Sequence, residues 1–492
     1  MYSLPPTIDV RASTDTGRGL WSRARYKAGD VLRVLLELLW PSSPWRLKRC
    51  PACRVVRYCN SQCQNKDWLF TNANARPFKT GRKAAPSPDL GLPSDAVRCL
   101  GRLMWIRQKK GPDSTWTKAI DAMQSHRASL QSSSYELHTH LSHALVRYLG
   151  VSSPEQLSEF GFNSARDVVD IISRFITNSF AVTTPTLAPI GVSVSPVVAL
   201  INHSCEPNAV VVFPRTSETP STKEPLMQVI ALRHIGADEQ LLTSYVDTTL
   251  PKDLRQKSLK ETYNFGLPFA SYALTLQSSI PRICLLSQKR VVGHARSHKK
   301  KPSDKATALQ FKDSAISKRL TTNLIPILTS SGLTPSSHPL LALTRLHQSL
   351  LIDSLPSPPT QNSLEDAIRA TTRSSTGLSS VLHHGHPVRG ITLAELGKLL
   401  AVDEPSPHQP SNPAEAALMY PPSGPKRLKL ALDTLLSARN ELLVGFGTKN
   451  DGGQVGKDVR ESIVALEKEL GVWKHGVKNV LEDTPRDVPP KS

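Results

Sequence analysis

The sequence has few aromatic residues and no long uninterrupted hydrophobic run. Phe, Trp and Tyr together make up 5% of the 492 residues, so part of the chain can be loosely ordered. The longest apolar run, Val31 to Trp40, contains Arg33 and Glu37 and is far shorter than the ~20 residues needed to cross a bilayer. We therefore expect no membrane span and no membrane partner.

Acidic residues are also scarce, and the N-terminus lacks the basic start and apolar stretch of a signal peptide. The chain has 41 Asp+Glu against 61 Lys+Arg, a net charge of +20, which favours acidic partners such as chromatin. We expect a nuclear or cytoplasmic protein in a reducing compartment. Its seven cysteines are then better explained as metal ligands or buried thiols than as disulfides.

The length predicts two to four domains at roughly 100–200 residues each, and the patterns differ along the chain. Short apolar segments with tight turns up to residue 39 predict strands. Apolar residues three and four apart predict helices over 94–175, and β-type runs return over 180–245. After a Lys/Arg-rich stretch the pattern is helical to the end, and Gly471 is expected to cap a helix that starts at Val459.

Four cysteines lie within fourteen residues, with the spacing Cys50-x2-Cys53-x5-Cys59-x3-Cys63. A CxxC turn lets two thiolates reach one zinc ion at about 2.3 Å. This spacing predicts a zinc site, and the alternative is a set of buried or surface thiols.

Four further motifs are weak when each is considered alone. GRGL (17–20) suits any hairpin, and NHSCEPN (202–208) suits a turn with a hydrogen-bonded histidine. Tyr245, after Gly236-x2-Glu239, and the pair Tyr263 and Phe265 are compatible with ordinary core packing.

The order of these motifs, with Asn178-Ser179-Phe180 between the cysteines and NHSCEPN, resembles that of the SET- and MYND-domain (SMYD-type) protein lysine methyltransferases. The resemblance covers residues 9–265. It implies an α+β fold: a split SET-domain β-fold with a pseudoknot and helical insert, a degenerate MYND zinc finger and a C-terminal all-α, helical-repeat-like domain. The implied boundaries are 8–49 and 176–247 for the SET parts, 50–70 for the finger, 71–175 for the loop and helical insert, 248–285 for a post-SET-like region, 286–306 for a basic linker and 307–492 for the helical domain.

The resemblance implies S-adenosylmethionine as cofactor, beside the zinc predicted from the cysteines. It assigns Tyr245 as the catalytic tyrosine and implies that cofactor-binding residues are Arg18, Gly19, Asn178, Ser179, Asn202, His203, Tyr245, Tyr263 and Phe265. Within that set, Asn202 and His203 would hold the carboxylate, ribose and adenine regions. Tyr263 and Phe265 would wall the lysine channel and cover the adenine.

The sequence departs from this family in two zinc regions. No Cys or His precedes Cys50, and the next candidates after Cys63 are Cys99 and His126. Each of the two interleaved MYND zinc sites would therefore keep only two of its four ligands. After Phe265 the family's CxCxxC cluster is replaced by GLPFASYALTLQ, so the lysine channel would lack a zinc-bound wall.

The favoured interpretation is a monomeric S-adenosylmethionine-dependent protein-lysine N-methyltransferase. Its substrate would be a lysine of a histone or another protein, and its basic surface could associate with chromatin. One alternative is a catalytically inactive SET/MYND scaffold that acts as a protein-interaction module. Another is a basic DNA-binding regulator, supported only by the net charge and the basic run at 281–312.

Overall fold

The computed structural model describes most of the chain in two compact units, Met1–Lys301 and Pro302–Ser492, which are considered separately. The described residues are 4–13, 17–35, 38–41, 48–49, 57–58, 61, 64–65, 93–130, 132–214, 227–264, 304–402 and 424–482. Several predictions lie wholly or partly outside these residues: the zinc ligands Cys50, Cys53, Cys59 and Cys63, most of the predicted finger at 50–70, the loop at 71–92, Phe265, residues 265–285 of the post-SET-like region and residues 286–303 of the basic linker.

The strands of the first unit are short and form several small sheets. They are β1 (Ile8–Ser13), β2 (Gly17–Ser22), β3 (Val31–Leu35), β4 (Leu38–Pro41), β5 (Lys48–Arg49), β6 (Arg57–Tyr58), β7 (Ser179–Thr183), β8 (Pro189–Val194), β9 (Asn202–His203), β10 (Ala209–Val212), β11 (Met227–Ala231) and β12 (Leu242–Thr243). The antiparallel sheets are β1–β2, β10–β11–β3, β4–β8–β7 and β5–β6.

Strand β11 is the central strand of the β10–β11–β3 sheet. All five of its residues are buried, and it pairs with β10 on one side and β3 on the other. A strand covered on both faces is expected to be mostly apolar rather than alternating, and four of these five residues are apolar, with Gln228 the exception. The β-type runs predicted over 180–245 are confirmed by strands β7 to β12.

Over 95–178 the described residues of the first unit are mainly helical, as the spacing predicts. Its helices are α1 (Asp95–Lys110), α2 (Thr115–Asp121), α3 (Ser132–Leu149), α4 (Pro154–Ser158) and α5 (Ala165–Asn178), and α6 (Lys252–Tyr263) follows the last strand. Helix α5 begins with a capping box formed by Ser164 and Asp167. Its buried face packs into one core with α1 and α3, through Val168, Ile171, Ile172 and Phe175.

Among the described strands, β9 and β12 form the one parallel pair, with Asn202 opposite Leu242 and His203 opposite Thr243. The backbone N–H of Leu241 donates to the carbonyl of Leu20 in β2. The NHSCEPN segment therefore lies beside the strand that leads to Tyr245. The pseudoknot, in which one segment crosses the other, stays a prediction.

Asn208, the last residue of NHSCEPN, is fully buried and ties this arrangement together. Its Nδ2 donates to Glu239 Oε1 at 2.9 Å and to the Gln240 carbonyl at 2.8 Å. Its Oδ1 accepts from the Leu242 backbone N–H at 2.8 Å. One side chain thus forms hydrogen bonds with three residues, Glu239, Gln240 and Leu242, at the start of β12 and just before it.

The described residues of the second unit form helices, each of which packs on the next along the chain. They are α7 (Asp304–Ser330), α8 (His338–Asp353), α9 (Gln361–Val381), α10 (Pro387–Leu400), α11 (Pro425–Gly445) and α12 (Gly453–Glu482). Gly390 and Gly397 lie seven residues apart on α10, and a Cβ at either would come within 3 Å of Leu442 or Leu435 of α11. The predicted helical C-terminal region is confirmed, and these glycines allow two of its helices to approach closely.

The expectation that Gly471 ends a helix is wrong. Helix α12 runs from Gly453 to Glu482, and Gly471 is not among the glycines with positive φ that a left-handed cap requires. A Cβ there would meet nothing within 4 Å, so a glycine is tolerated at this helical position. None of the helices in the described residues is both long and apolar enough to span a membrane.

Replacing Asn208 with alanine should destabilise the first unit. The change removes three hydrogen bonds to partly buried groups of Glu239, Gln240 and Leu242, and the expected loss is about 2–4 kcal/mol of unfolding free energy. Urea unfolding followed by tryptophan fluorescence measures it, because six of the seven tryptophans precede residue 302.

The matched control is Asn163→Ala, which changes an exposed asparagine of the same unit. If the two variants have equal unfolding midpoints, the hydrogen bonds of Asn208 do not stabilise the first unit as we expect.

Candidate functional site

Gly19 lies in β2 where two side-chain amides converge on the backbone. A Cβ at this position would overlap the amide of Gln240 and would lie 3.0 Å from Asn202 Nδ2. The Asn202 amide also donates to the carbonyl of Arg18 at 3.3 Å. The backbone of β2 therefore approaches these amides more closely than a residue with a side chain would allow.

His203 is held in a defined protonation state beside this position. Its Nδ1 accepts the backbone N–H of Tyr245 at 2.9 Å, and its Nε2 is 3.5 Å from Cys205 Sγ. Burial, followed by the positive charge of Arg255, lowers the pKa of His203 to about 4. The imidazole is therefore neutral at pH 7, and because Nδ1 accepts a hydrogen bond, its proton is on Nε2.

Tyr245 and Tyr263 form an aromatic pair next to His203. Their ring centroids are 4.7 Å apart, and the Tyr245 ring lies 5.3 Å from that of His203. Tyr263 is the last residue of α6, which ends where Asn264 adopts a left-handed conformation. The Tyr245 hydroxyl donates to the Ile201 carbonyl at 2.6 Å.

The surroundings keep both phenols protonated. Burial, and next the neighbouring Tyr263, raise the pKa of Tyr245 well above its usual value. Burial also raises the pKa of Tyr263 to about 12. Neither hydroxyl can act as a general base at neutral pH, so each can only donate and accept hydrogen bonds.

Asn178 and Ser179 mark the junction between α5 and β7. Both amide hydrogens of Asn178 are committed, to the carbonyls of Gln124 at 2.9 Å and Arg174 at 2.7 Å. Ser179 pairs with Val194 of β8. A ligand could therefore reach the Asn178 side chain only through its carbonyl oxygen.

The structure brings most of the predicted cofactor-binding residues together. One group consists of Arg18, Gly19 and Asn202. The rings of Tyr245 and Tyr263 lie next to it, because Tyr245 contacts His203, the residue after Asn202. Asn178 connects to this group indirectly, through residues 121–124, where the Ala122 carbonyl accepts from Arg18 Nη2 at 2.5 Å. The binding and catalytic roles of these residues stay predictions.

Two residues that shape the site were not predicted from the sequence. Asn208 lies within NHSCEPN, and Gln240 directly follows Glu239. Asn208 fixes the approach of β12, and Gln240 lies against Gly19. A polar residue at Gln240, directly before the apolar pair Leu241-Leu242, was the available signal. Within the described ranges, no group of three or more His, Cys, Asp or Glu residues is arranged to hold a metal ion.

A family model described as "SET domain" matches residues 17–246. This range contains Gly19, Asn202, His203 and Tyr245, the residues from which the site is built. The match assigns residues 17–246 to a SET domain. The predicted resemblance to SMYD-type proteins is also confirmed, at modest sequence identity, by the curated relatives.

Three relatives illustrate the similarity. "Histone-lysine N-methyltransferase ASHR1" of Arabidopsis thaliana is 30% identical over 225 residues, which cover 44% of this chain and 42% of that protein. "SET domain and MYND-type zinc finger protein 6" of Schizosaccharomyces pombe is 26% identical over 223 residues, 45% and 40% of the two chains. "Histone-lysine N-methyltransferase SMYD3" of Homo sapiens is 24% identical over 220 residues, 45% and 47%.

The matched region spans less than half the length of each of these relatives. A solved structure, the SET domain of LSMT bound to lysine and AdoHcy, matches with a TM-score of 0.31 and 13% identity over 95% of this chain and 89% of that chain. Because that similarity is low, the assignment of the fold rests on the family match and on the strand pairings described above.

Acid should destabilise the SET domain through His203. Its folded-state pKa of about 4 lies below the unfolded reference of about 6.5. The resulting stability is therefore full above pH 6.5 and is lost as the pH falls toward 4. In His203→Asn, the amide oxygen can still accept the Tyr245 N–H, and we expect a smaller drop in thermal midpoint between pH 7.5 and 5.

Some pH dependence should remain, because burial also lowers the pKa of His126. The exposed His234 supplies the control variant, His234→Asn, which should behave like the native protein. If His203→Asn loses as much stability on acidification as native protein, the neutral, buried state assigned to His203 is incorrect.

Proposed function

We propose that this protein is an S-adenosylmethionine-dependent protein-lysine N-methyltransferase. The observation that carries the proposal is the meeting of Gly19, Asn202, His203 and Tyr245, from separate segments of the chain, within a matched SET domain. The names of the relatives, two of which are histone-lysine N-methyltransferases, support the same reaction.

The residues around Gly19 fit a cofactor that carries carboxylate and hydroxyl oxygens. Gln240 Nε2 is buried and has no hydrogen-bond partner, an unfavourable state for an N–H group. The absence of a Cβ at Gly19 allows this donor and the Asn202 amide to lie directly against the β2 backbone. Arg18, Asn202 and Gln240 would hold the polar end of S-adenosylmethionine, which supplies an electrophilic methyl group on a sulfonium.

The chain's own residues would then position the amine and favour its neutral form. Methyl transfer to an amine is an in-line displacement without a covalent enzyme intermediate, so orientation is the main requirement. The substrate lysine must first release a proton to solvent, and desolvation against the rings of Tyr245 and Tyr263 favours that neutral state. The protonated Tyr245 hydroxyl and the Ile201 carbonyl can orient the reacting groups by hydrogen bonding.

A second candidate is a catalytically inactive scaffold that binds a partner protein. The observation that favours it is the sequence after Phe265, which lacks the CxCxxC cysteines of the family. Without that zinc, the lysine channel would need another wall. A methyl-transfer assay separates the two functions.

Replacing Tyr245 with phenylalanine tests the proposed chemistry. The ring and its packing are kept and only the hydroxyl is lost, so cofactor binding measured by calorimetry should be little changed. Transfer of radiolabelled methyl to histones or cell-extract proteins should fall roughly 10²–10³-fold, as when one transition-state hydrogen-bond donor is removed.

The control variant is Tyr135→Phe, which removes an exposed hydroxyl from α3 and should retain full activity. Equal transfer by native and Tyr245→Phe protein would contradict the role of Tyr245. Native protein that binds the cofactor but labels nothing would favour the scaffold, and native protein that binds no cofactor would exclude the methyltransferase.

We also propose zinc binding by Cys50, Cys53, Cys59 and Cys63. With the other family ligands absent, one four-cysteine site is the simplest arrangement, and elemental analysis should give about one zinc per chain. Cys50→Ser with Cys53→Ser should abolish it, whereas Cys284→Ser, at an isolated cysteine, should not. A native value near zero in protein purified without chelator would refute the site.

The substrate, the association with chromatin, the cellular location and the oligomeric state are also proposals. A protein with an accessible lysine, histone or other, is the proposed substrate, and the net charge of +20 supports association with chromatin. We propose a monomer in the nucleus, the cytoplasm or both.

A further inference from the structure

The segment Asp121–Gln124, here called the strap, connects the end of α2 to the SET core. Its four consecutive carbonyls all accept hydrogen bonds from side chains outside it. Arg174 Nη1 donates to the carbonyls of Asp121 and Met123, Arg18 Nη2 donates to that of Ala122, and Asn178 Nδ2 donates to that of Gln124. The donors come from two sides, β2 and α5, so the strap bridges them.

Arg174 is the donor that holds two of these carbonyls, and it is itself fixed. Its Nε donates to Asp170 Oδ2 at 2.9 Å, one turn earlier on α5. Asp170 also accepts from the hydroxyl of Ser125 at 2.6 Å. A guanidinium held by a carboxylate at one edge can present the N–H groups of its other edge in a constant direction.

Residues just after the strap are anchored to the same helix. The backbone N–H of His126 donates to Ser173 Oγ at 3.1 Å, and Arg127 lies 3.5 Å from Asp170. Helix α5 therefore holds the strap and the residues that follow it through Asp170, Ser173, Arg174 and Asn178. The helical insert is joined to the SET core by polar contacts as well as by its apolar core.

The strap reaches the candidate cofactor site through Arg18. The Arg18 side chain donates to the Ala122 carbonyl at 2.5 Å, while its own carbonyl accepts from Asn202. Arg18 is exposed and long, so its conformational freedom is large unless a partner restrains it. The carbonyl of Ala122 is such a partner, and its position depends on the carbonyls on either side of it, both held by Arg174.

We infer that Arg174 is a positioning residue for cofactor binding: it fixes the strap, and the strap holds the Arg18 guanidinium at the edge of the candidate cofactor site around Gly19. The inference rests on the proposed function. Arg174 touches no reacting atom in this arrangement. Its removal should therefore weaken cofactor binding without changing the methyl-transfer step once cofactor is saturating.

The test compares Arg174→Ala with Arg166→Ala, an exposed arginine of the same helix with no role in the strap. Hydrogen exchange of cofactor-free protein should be faster across residues 121–126 in Arg174→Ala and unchanged in Arg166→Ala. Calorimetry with S-adenosylmethionine should show about tenfold weaker binding for Arg174→Ala only, the size of one lost hydrogen-bonding contact. The kinetic counterpart is a raised KM for the cofactor with kcat retained.

Arg174→Lys separates positioning from general support of the fold. An ammonium carries three hydrogens, enough for both strap carbonyls, so this variant should restore most of the affinity and the slow exchange. A fall in kcat or in thermal midpoint with unchanged cofactor affinity would mean that Arg174 is merely structural, and would overturn the inference. Unchanged exchange and affinity in Arg174→Ala would do the same.

Failure of this inference can be distinguished from failure of the proposed function. If native protein binds no S-adenosylmethionine in the calorimeter, the methyltransferase proposal and the cofactor part of this inference fall together. Exchange across residues 121–126 would still report whether Arg174 holds the strap. If native protein binds and Arg174→Ala binds equally well, only the inference fails.

Discussion

The rest of the SET domain depends on the hydrogen bonds of the buried Asn208 side chain. Its amide joins the end of NHSCEPN to Glu239, Gln240 and Leu242. That junction aligns β12 with β9, and hydrogen bonds from the same stretch reach β2. Asn202, Gly19 and Gln240 meet because of it. A site built from segments more than 180 residues apart, such as Arg18 and Asn202, needs a fixed link of this kind.

The second organising feature is that the imidazole and the phenols at the centre of the site are uncharged at neutral pH. The imidazole of His203 is neutral and both neighbouring phenols are protonated, in each case chiefly because burial disfavours the ionised form. The exposed guanidinium of Arg18, bonded to the Ala122 carbonyl, lies at the edge of this site. A polar edge and an uncharged aromatic centre suit a ligand with one charged end and an amine that reacts in its neutral form.

Local patterns in the sequence were sufficient for several elements. The apolar spacing of α5 and the mostly apolar sequence of β11 predict their structures, because burial on one face or on two imposes those patterns. They were insufficient at Gly471, since a glycine tolerated in a helix is indistinguishable from a cap when the backbone angle is unknown. Gln240 was missed for a related reason: it has no local partner, and only its distance to Gly19 gives it meaning.

The sequence by itself determined the order of the motifs, the division into β-rich and helical regions, and the residue types available for chemistry. Those follow from periodicity, composition and spacing along the chain. Only the tertiary structure decided that the Asn178 amide donates to the carbonyl of Gln124, that Gln240 faces Gly19, and that Arg174 holds the strap. Each of these depends on contacts between residues more than 50 positions apart, and such contacts are set by how the whole core packs rather than by any local pattern.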